Sequence, residues 1–365
     1  MNPCFVTTSF SPSQQNSGIS NALYLLIKYL HGKKGLQSTV FAPVQNWGKK
    51  NDDCDYASIR RFSTAKFLNY DISFSVKKII EKENNIRKFD FVHSYHYGFF
   101  PATAGYNFST KHKLPHFFTT AFHPPSSGFK KSLMSFYNNT QGKRILSGSS
   151  NVFPFNKNEK KQLSAYSEGK YKIVPCPVND EIFYPRKTKF SKPTVTYIGT
   201  LLPWKGPQIA VEIFNKIHTE RKDVNFKIIG TGPLENELRL KANKNTEIIC
   251  GPSAEKVSGI LSKSDVVVCP TKYESFGSAI AEAMMCGTPV VSTKVGAVPE
   301  TIGPGGILVD YGNWSGMKKS VEILLNDTLL RKKTSQRAIK HANNYKYKKV
   351  CSKIYESYRS HVNDL

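Results

Sequence analysis

Short apolar runs alternate with amphipathic segments along the whole chain. The run PCFVTT precedes GISNALYLLIKYLHG, whose apolar positions recur at helical spacing and which ends in His and Gly, as helix C-termini often do. Further strands are predicted for the first half at FDFVHSY, HFFTTAF, RILSGS and YKIVPCPV. Strands that alternate with helices predict parallel sheets covered by helices.

The alternation stops once, at NDEIFYPRKTKFSKPTV, residues 179–195, which is rich in Pro and Lys and has no periodicity. It then restarts, with strands predicted at TVTYIGT, NFKIIGTG, TEIICGP, DVVVCPT and PVVST and helices between them. We therefore expect two doubly wound, Rossmann-like α/β domains facing a cleft, with ligands at the strand carboxyl ends. The predicted domains are residues 1–185 and 186–345, and a basic helix over 346–365 is expected to pack back on the first domain.

Composition describes a globular protein, since 39% of the residues are hydrophobic and 12% aromatic. None of the seven cysteines has CxxC spacing, which argues against a disulfide framework or a zinc site and favours a reducing compartment. The amino-terminal sequence lacks a charged leader, and ALYLLIKYL is too short to span a bilayer. We expect a cytoplasmic protein that is soluble or lies on the inner face of the membrane.

The formal net charge of +25 changes this picture. Residues 101–150 contain six Lys or Arg and no Asp or Glu. Such a field attracts nucleic acid, an anionic membrane or phosphorylated substrates, although a generally basic surface explains part of it. No RNP, zinc-finger or helix-turn-helix signature is present, so no nucleic-acid partner is expected.

Two carboxylates, Glu274 and Glu282, flank a predicted helix start directly after the apolar strand DVVVCP. The amino terminus of a helix binds phosphate, and carboxylates accept hydrogen bonds from vicinal hydroxyls. A nucleotide sugar would satisfy both features. The alternative is a glutamate that favours the helix dipole and a second one that is simply solvated.

The flanking residues of this site resemble a known motif. Tyr-Glu-Ser-Phe-Gly, Glu-Ala-Met, Cys-Gly-x-Pro-Val-Val and Gly-x-x-x-Glu are similar to the Glu-x7-Glu motif of family-four retaining glycosyltransferases, which have the GT-B fold. YIGTLLPWKG, IIGTGP and YKIVPCPVNDEIFYP also resemble parts of that family. The resemblance covers about residues 1–360 and is strongest after 190.

The resemblance implies a role for each matching residue. Glu282 would bind the ribose hydroxyls of the donor, Glu274 the transferred sugar and Lys205 the phosphates. His123 would be the active-site histidine. The remaining donor-binding positions would be Gly18, Gly230, Gly232, Ser275, Phe276, Gly277 and Ser278.

Two departures from the family matter. Thr200 stands where the family usually has an arginine paired with the lysine, so one phosphate-binding cation is missing. Ser17 replaces the first glycine of the Gly-Gly loop, and only Gly18 remains. The first departure leaves a catalytically inactive family member as an alternative.

No metal and no other cofactor is expected. The Asp53-x-Asp55 pair lies in a polar run and predicts a solvated loop rather than a metal site. His93 and His96 lie at a predicted strand end, where core packing or lining of an acceptor site explains them better than metal binding.

The segment GFKKSLMSFYNNTQGKRIL interleaves apolar residues with Lys130, Lys131, Lys143 and Arg144 and contains no carboxylate. Membrane-surface segments combine apolar insertion with attraction to anionic lipid in this way. An amphipathic helix packed against the core explains the pattern equally well.

Together these patterns predict a metal-independent retaining glycosyltransferase. Its partners would be a nucleotide-diphosphate sugar and a glycan or lipid-linked acceptor with a reacting hydroxyl, at an anionic membrane face. The alternatives are a phosphorylase or sugar-nucleotide synthase on the same fold, distinguished by a phosphate acceptor, and a basic nucleic-acid-binding protein.

Overall fold

The computed structural model describes residues 2–10, 18–44, 51–67, 70–73, 75–124 and 129–362. The chain forms two compact units. Unit 1 comprises Met1–Pro177 and Tyr347–Leu365, and unit 2 comprises Val178–Lys346. The first boundary between the two units therefore falls after Pro177, whereas the sequence predicted it after residue 185.

Unit 1 is built on a seven-stranded sheet with the order β3-β4-β2-β1-β7-β8-β9. All neighbouring strands are parallel except the pair β3 and β4. The strands are β1 (Pro3–Val6), β2 (Ser38–Pro43), β3 (Asn51–Cys54), β4 (Ala57–Phe62), β7 (Phe91–Tyr95), β8 (His116–Thr119) and β9 (Asn151–Phe153), and a separate hairpin pairs β5 (Ala65–Phe67) with β6 (Tyr70–Ile72).

Most helices of unit 1 lie between these strands in the chain, and the last two follow β9. They are α1 (Gly18–Lys34), α2 (Val76–Arg87), α3 (Phe100–His112), α4 (Phe129–Tyr137), α5 (Lys143–Gly148), α6 (Lys157–Ser164) and, after the return from unit 2, α14 (Tyr347–Arg359). A π-helical turn, Asn138–Gly142, joins α4 to α5. Helix α14 packs against α1.

Three local predictions in this unit are wrong. RILSGS is helical, because Ile145 and Leu146 are buried on one side of α5. YKIVPCPV forms only isolated bridges at Tyr171 and Val178, since its two prolines cannot donate to a ladder. Asp53 lies on the edge strand β3 rather than in a loop, because the turn at Asp55 folds that strand back on β4.

Unit 2 is built on six parallel strands with the order β12-β11-β10-β13-β14-β15. They are β10 (Thr194–Ile198), β11 (Asn225–Ile229), β12 (Thr246–Ile249), β13 (Val266–Cys269), β14 (Val290–Thr293) and β15 (Gly306–Val309). Its helices are α7 (Pro207–Glu220), α8 (Glu235–Lys241), α9 (Ala254–Lys263), α10 (Ser278–Met285), α11 (Val298–Ile302), α12 (Trp314–Asn326) and α13 (Thr328–Ala342).

The order of the strands in unit 2 positions the candidate site. Val266, Val267 and Val268 of β13 are fully buried, because a central parallel strand is covered on both faces. Strand β13 pairs with β10 on one side and with β14 on the other. The loops that leave the carboxyl ends of β10 and β13 are therefore neighbours, although 69 residues separate Lys205 from Glu274.

Within the described part of the chain, no helix has the length and apolar character needed to cross a bilayer.

Candidate functional site

Lys205 and Glu274 form an ion pair at the carboxyl edge of the unit 2 sheet. Lys205 Nζ donates to Glu274 Oε1 at 2.6 Å. Gly206 permits this approach: its φ is +75°, and a Cβ there would lie 2.2 Å from the Pro270 carbonyl oxygen. The backbone N–H of Lys272 also donates to the Trp204 carbonyl at 2.8 Å, which fixes the two loops together.

The surroundings of this ion pair favour binding of a polar ligand. The side chains of Lys205 and Glu274 are only 20% and 14% exposed. The Lys205 ammonium also lies 4.4 Å from the centre of the Trp204 ring. A fixed cation and a fixed carboxylate at one point can hold a phosphate oxygen and a sugar hydroxyl side by side.

The loop after Glu274 leads directly into α10. Gly277 precedes the helix in the left-handed conformation, with φ +87°. Phe276 is buried, and its ring packs edge-on against Tyr345 at 5.2 Å. The Phe276 side chain thus belongs to the core, so only its backbone can take the predicted part in donor binding. Ser275 and Ser278 are partly buried beside it.

Sequence reasoning gave Gly296 no role, yet it supports the Glu274 loop. Its φ is +50°, and a Cβ would lie 2.4 Å from the Glu274 carbonyl oxygen. That same carbonyl accepts the N–H of Ala297 at 2.9 Å. The Gly-x-x-x-Glu flank of the motif contains Gly296 and was the available signal.

Glu282 lies on the second turn of α10 and is partly buried. Burial raises the pKa of its carboxyl group to about 8. The acid is therefore mostly protonated at neutral pH without ligand. A hydroxyl-rich ligand that donates hydrogen bonds to the carboxylate would favour its ionised form.

Gly230 and Gly232 follow β11 and pack against the loop after β10. A Cβ on residue 230 would lie 1.9 Å from the Gly199 carbonyl oxygen. A Cβ on residue 232 would lie 2.6 Å from the Leu201 carbonyl oxygen. Both glycines therefore lie beside the loop that carries Lys205. This close packing is enough to explain why both positions are glycine.

The predicted site residues of unit 1 lie on separate elements. Gly18 is the first residue of α1, and its carbonyl accepts a hydrogen bond from Cys176 Sγ at 3.6 Å. Ser17 lies outside the described residues. His123 follows β8 at the carboxyl edge of the sheet, and its Nδ1 bonds to the Ala121 carbonyl at 3.0 Å.

His96 is a further candidate, for which the sequence left core packing and lining of an acceptor site open. It follows β7 with a φ of +72°, which is uncommon for a residue other than glycine and is typical of functional sites. Its Nδ1 bonds to the Thr8 hydroxyl. Burial and the nearby His123 lower the pKa of His96 to about 3, so His96 is neutral and close to His123.

His93, by contrast, is a core residue. Its Nδ1 lies 2.5 Å from the Tyr358 hydroxyl, and its Nε2 lies 2.9 Å from Thr119 Oγ1. Burial also lowers the pKa of His93. Among the residues with described positions, no group of three or more His, Cys, Asp or Glu is arranged to hold a metal ion.

The sequence and the fold have clear relatives. Residues 179–341 match the family model described as glycosyl transferases group 1. The match falls within unit 2, Val178–Lys346, which is therefore similar to this family. A glycosyltransferase of Methanocaldococcus jannaschii is 27% identical over 77% of this chain and 78% of its own length. The D-inositol 3-phosphate glycosyltransferase of Paenarthrobacter aurescens is 30% identical, but over only 47% of this chain and 45% of its own length.

Solved structures extend the likeness in fold to the whole chain. Sucrose-phosphate synthase from Thermosynechococcus elongatus superposes with a TM-score of 0.83 at 17% identity, over 99% of each chain. Anabaena HepE, solved in complex with UDP-glucose, gives 0.74 at 15% identity, over 99% of this chain and 100% of that one. The predicted resemblance to glycosyltransferases is confirmed for residues 179–341, and the predicted GT-B fold is confirmed.

Proposed function

We propose that this protein is a glycosyltransferase that moves a sugar from a nucleotide-diphosphate sugar to a hydroxyl acceptor with retention of anomeric configuration. The Lys205–Glu274 pair carries the proposal, because it sets a phosphate-binding cation next to a hydroxyl-binding carboxylate at a helix start. Anabaena HepE, a structural neighbour, was solved in complex with UDP-glucose.

In this proposal the donor lies along the loop from Glu274 to Ser278. Glu282 accepts hydrogen bonds from the ribose, and Glu274 from the transferred sugar. Lys205 and the first N–H groups of α10 hold the pyrophosphate, where a helix terminus favours negative charge. The proposed mechanism uses no metal, and the fixed cation and the N–H groups stabilise the negative charge of the phosphates.

The reaction breaks the bond between the anomeric carbon and the pyrophosphate oxygen and forms a bond from that carbon to the acceptor oxygen. The acceptor proton passes to the departing phosphate on the same face of the sugar. Negative charge grows on the pyrophosphate in the transition state, so Lys205 and the helix N–H groups stabilise it. His123 orients the sugar near the reacting carbon.

Thr200 makes Lys205 especially important. The residue is exposed and its carbonyl accepts a hydrogen bond from the Tyr197 hydroxyl, so position 200 offers no cation. Lys205 must then carry more of the leaving-group stabilisation than it does in relatives with an arginine at this position.

The acceptor we propose is lipid-linked or a glycan at an anionic membrane surface. Leu133 and Phe136 are 38% and 69% exposed on α4, and Lys131, Lys143 and Arg144 are exposed beside them on α4 and α5. Exposed apolar side chains among cations fit a membrane interface better than core packing. Lys111 is not part of this surface charge, because it pairs with Glu81 at 2.7 Å.

Thermal unfolding in the presence of a panel of nucleotide sugars tests the donor site. A true donor at about 100 times its Kd should stabilise the folded protein by about 2.7 kcal/mol. Lys205→Ala and Glu282→Ala should lose most of this shift. Glu255→Ala and Lys256→Ala make the same charge changes on exposed positions of α9 and should keep it.

Two outcomes would contradict the proposal. The first is that no nucleotide sugar shifts the melting temperature of the wild-type protein. The second is a shift that survives in Lys205→Ala and Glu282→Ala. Stabilisation by a donor without turnover of any hydroxyl acceptor would favour the inactive family member that Thr200 suggests.

A further inference from the structure

Glu159 is a buried carboxylate in the first turn of α6, with only 3% of its surface exposed. Its backbone N–H is capped by Asn156 Oδ1 at 2.9 Å, so the turn has an ordinary amino-terminal cap. The NKNE sequence predicts this cap but says nothing about where the carboxylate points.

The carboxylate accepts three hydrogen bonds from two loops. Oε1 accepts from Thr120 Oγ1 at 2.6 Å and from the Phe122 N–H at 2.7 Å. Oε2 accepts from the Phe155 N–H at 2.6 Å. Glu159 therefore ties the loop after β8, which carries His123, to the segment after the neighbouring strand β9.

One of these bonds bears directly on His123. The N–H of Phe122 and the carbonyl of Ala121 belong to the same planar peptide unit. Glu159 holds the N–H end of that unit, and His123 Nδ1 bonds to its carbonyl end. Ala121 itself has a φ of +44°, which is unfavourable for alanine and needs support from its surroundings.

The peptide unit also determines which ring nitrogen of His123 carries a proton. A carbonyl oxygen cannot donate a hydrogen bond, so Nδ1 must donate to Ala121. In the neutral ring, Nε2 then has the lone pair and can accept a hydrogen bond from a hydroxyl group.

We propose that Glu159 is a positioning residue, which orients the Ala121–Phe122 peptide and through it fixes the direction and tautomer of the His123 ring. The catalytic consequence rests on the proposed function, in which His123 contacts the transferred sugar. The structural consequence does not, and the two can be measured separately.

The first measurement uses no substrate. In protein labelled with ¹⁵N-histidine, NMR should show His123 with its proton on Nδ1, and the spectrum of His123→Gln identifies that signal among the nine histidines. Glu159→Gln keeps the shape but turns an NH₂ group toward N–H and O–H donors. We expect His123 to become a mixture of tautomers in that variant.

Asn156→Ala is the matched control, because it removes the cap on the Glu159 N–H and leaves the Glu159 carboxylate in place. It should lower the melting temperature and leave the His123 signal unchanged. Thr120→Val removes one of the three hydrogen bonds to the Glu159 carboxylate and replaces Glu159→Gln in the test if that variant does not fold. It should shift the His123 signal in the same direction. An unchanged His123 signal in both Glu159→Gln and Thr120→Val would overturn the proposal.

The second measurement is steady-state kinetics with the donor that the panel of nucleotide sugars identifies. Glu159→Gln should lower kcat by about 10- to 100-fold with little change in the donor KM, the range for losing one positioned polar group. In a His123→Ala background, Glu159→Gln should have no further effect on kcat, because both act through one ring. An equal loss in both backgrounds would mean that Glu159 acts through the general stability of unit 1. If no donor turns over, the proposed function fails, while the NMR result still decides the role of Glu159.

Discussion

At the residue scale, the feature of the candidate donor site with the largest expected effect is the protonation state of the Glu282 carboxyl group. Its pKa is raised from 4.5 to about 8 because burial penalises the carboxylate. Between these values the folded protein holds a proton that the unfolded chain releases. The stability associated with this proton is fully present below about pH 4.5 and is lost as the pH rises through about 8.

Glu282→Gln should therefore become more stable than the wild type as the pH rises. The amide cannot ionise, so the difference in unfolding free energy should grow in favour of the variant between pH 5 and pH 9, by up to about 4 kcal/mol. Urea denaturation across that range measures it, with Glu255→Gln as the exposed control. A difference that does not change with pH would show that Glu282 ionises normally in the folded protein.

At the element scale, α4 and α5 form one helical surface whose solvent-exposed side carries large apolar side chains. Met134, Ile145 and Leu146 face the core, whereas Leu133 and Phe136 face outward. The helix turn between them, Asn138–Gly142, keeps the exposed cations Lys143 and Arg144 within the same segment. The side chain of Lys130 lies outside those described.

Binding to vesicles that contain phosphatidylserine should depend on this surface. Each cation near an anionic bilayer contributes about 1 kcal/mol, so changing Lys131, Lys143 and Arg144 to Glu should weaken binding by at least about 100-fold. Changing Lys157, Lys160 and Lys161 of α6 to Glu alters the net charge equally and should have a much smaller effect.

Co-sedimentation at several salt concentrations measures this binding, which should fall as salt screens the charges. Leu133→Ser with Phe136→Ser should weaken the binding that remains at high salt. Equal losses for the α4–α5 and α6 reversals would mean that only the overall charge matters, and a soluble acceptor would then be favoured.

At the scale of the whole molecule, the chain leaves unit 1 after Pro177 and returns at Tyr347. Helix α14 therefore completes a core that the first half of the chain began. Tyr358 is fully buried, with its ring 4.3 Å from that of Phe91 and 4.6 Å from that of Phe117. Its hydroxyl bonds to His93 Nδ1 at 2.5 Å.

Tyr358→Phe should destabilise the protein by about 1–3 kcal/mol, because His93 would keep a buried nitrogen without its partner. Chemical denaturation measures the loss, and Tyr311→Phe at an exposed tyrosine is the control. Donor binding should be little affected, since Lys205, Glu274 and Glu282 lie in unit 2. Wild-type stability in Tyr358→Phe would show that the hydroxyl adds nothing to the attachment of α14.

The sequence by itself determined the α/β class, most strands of unit 2 and the position of the glutamate motif. These follow from local chemistry: a run such as Val266–Val268 favours a buried strand, and the residues after it open a helix. The tertiary structure alone decided the rest. RILSGS became a helix because burial of Ile145 and Leu146 outweighed its strand-like composition, and Lys205 met Glu274 because β10 and β13 are adjacent in the sheet. Glu159 reached the His123 loop across β8 and β9 for the same reason. Contacts between residues far apart in the chain depend on strand order, and no local pattern of residues encodes that order.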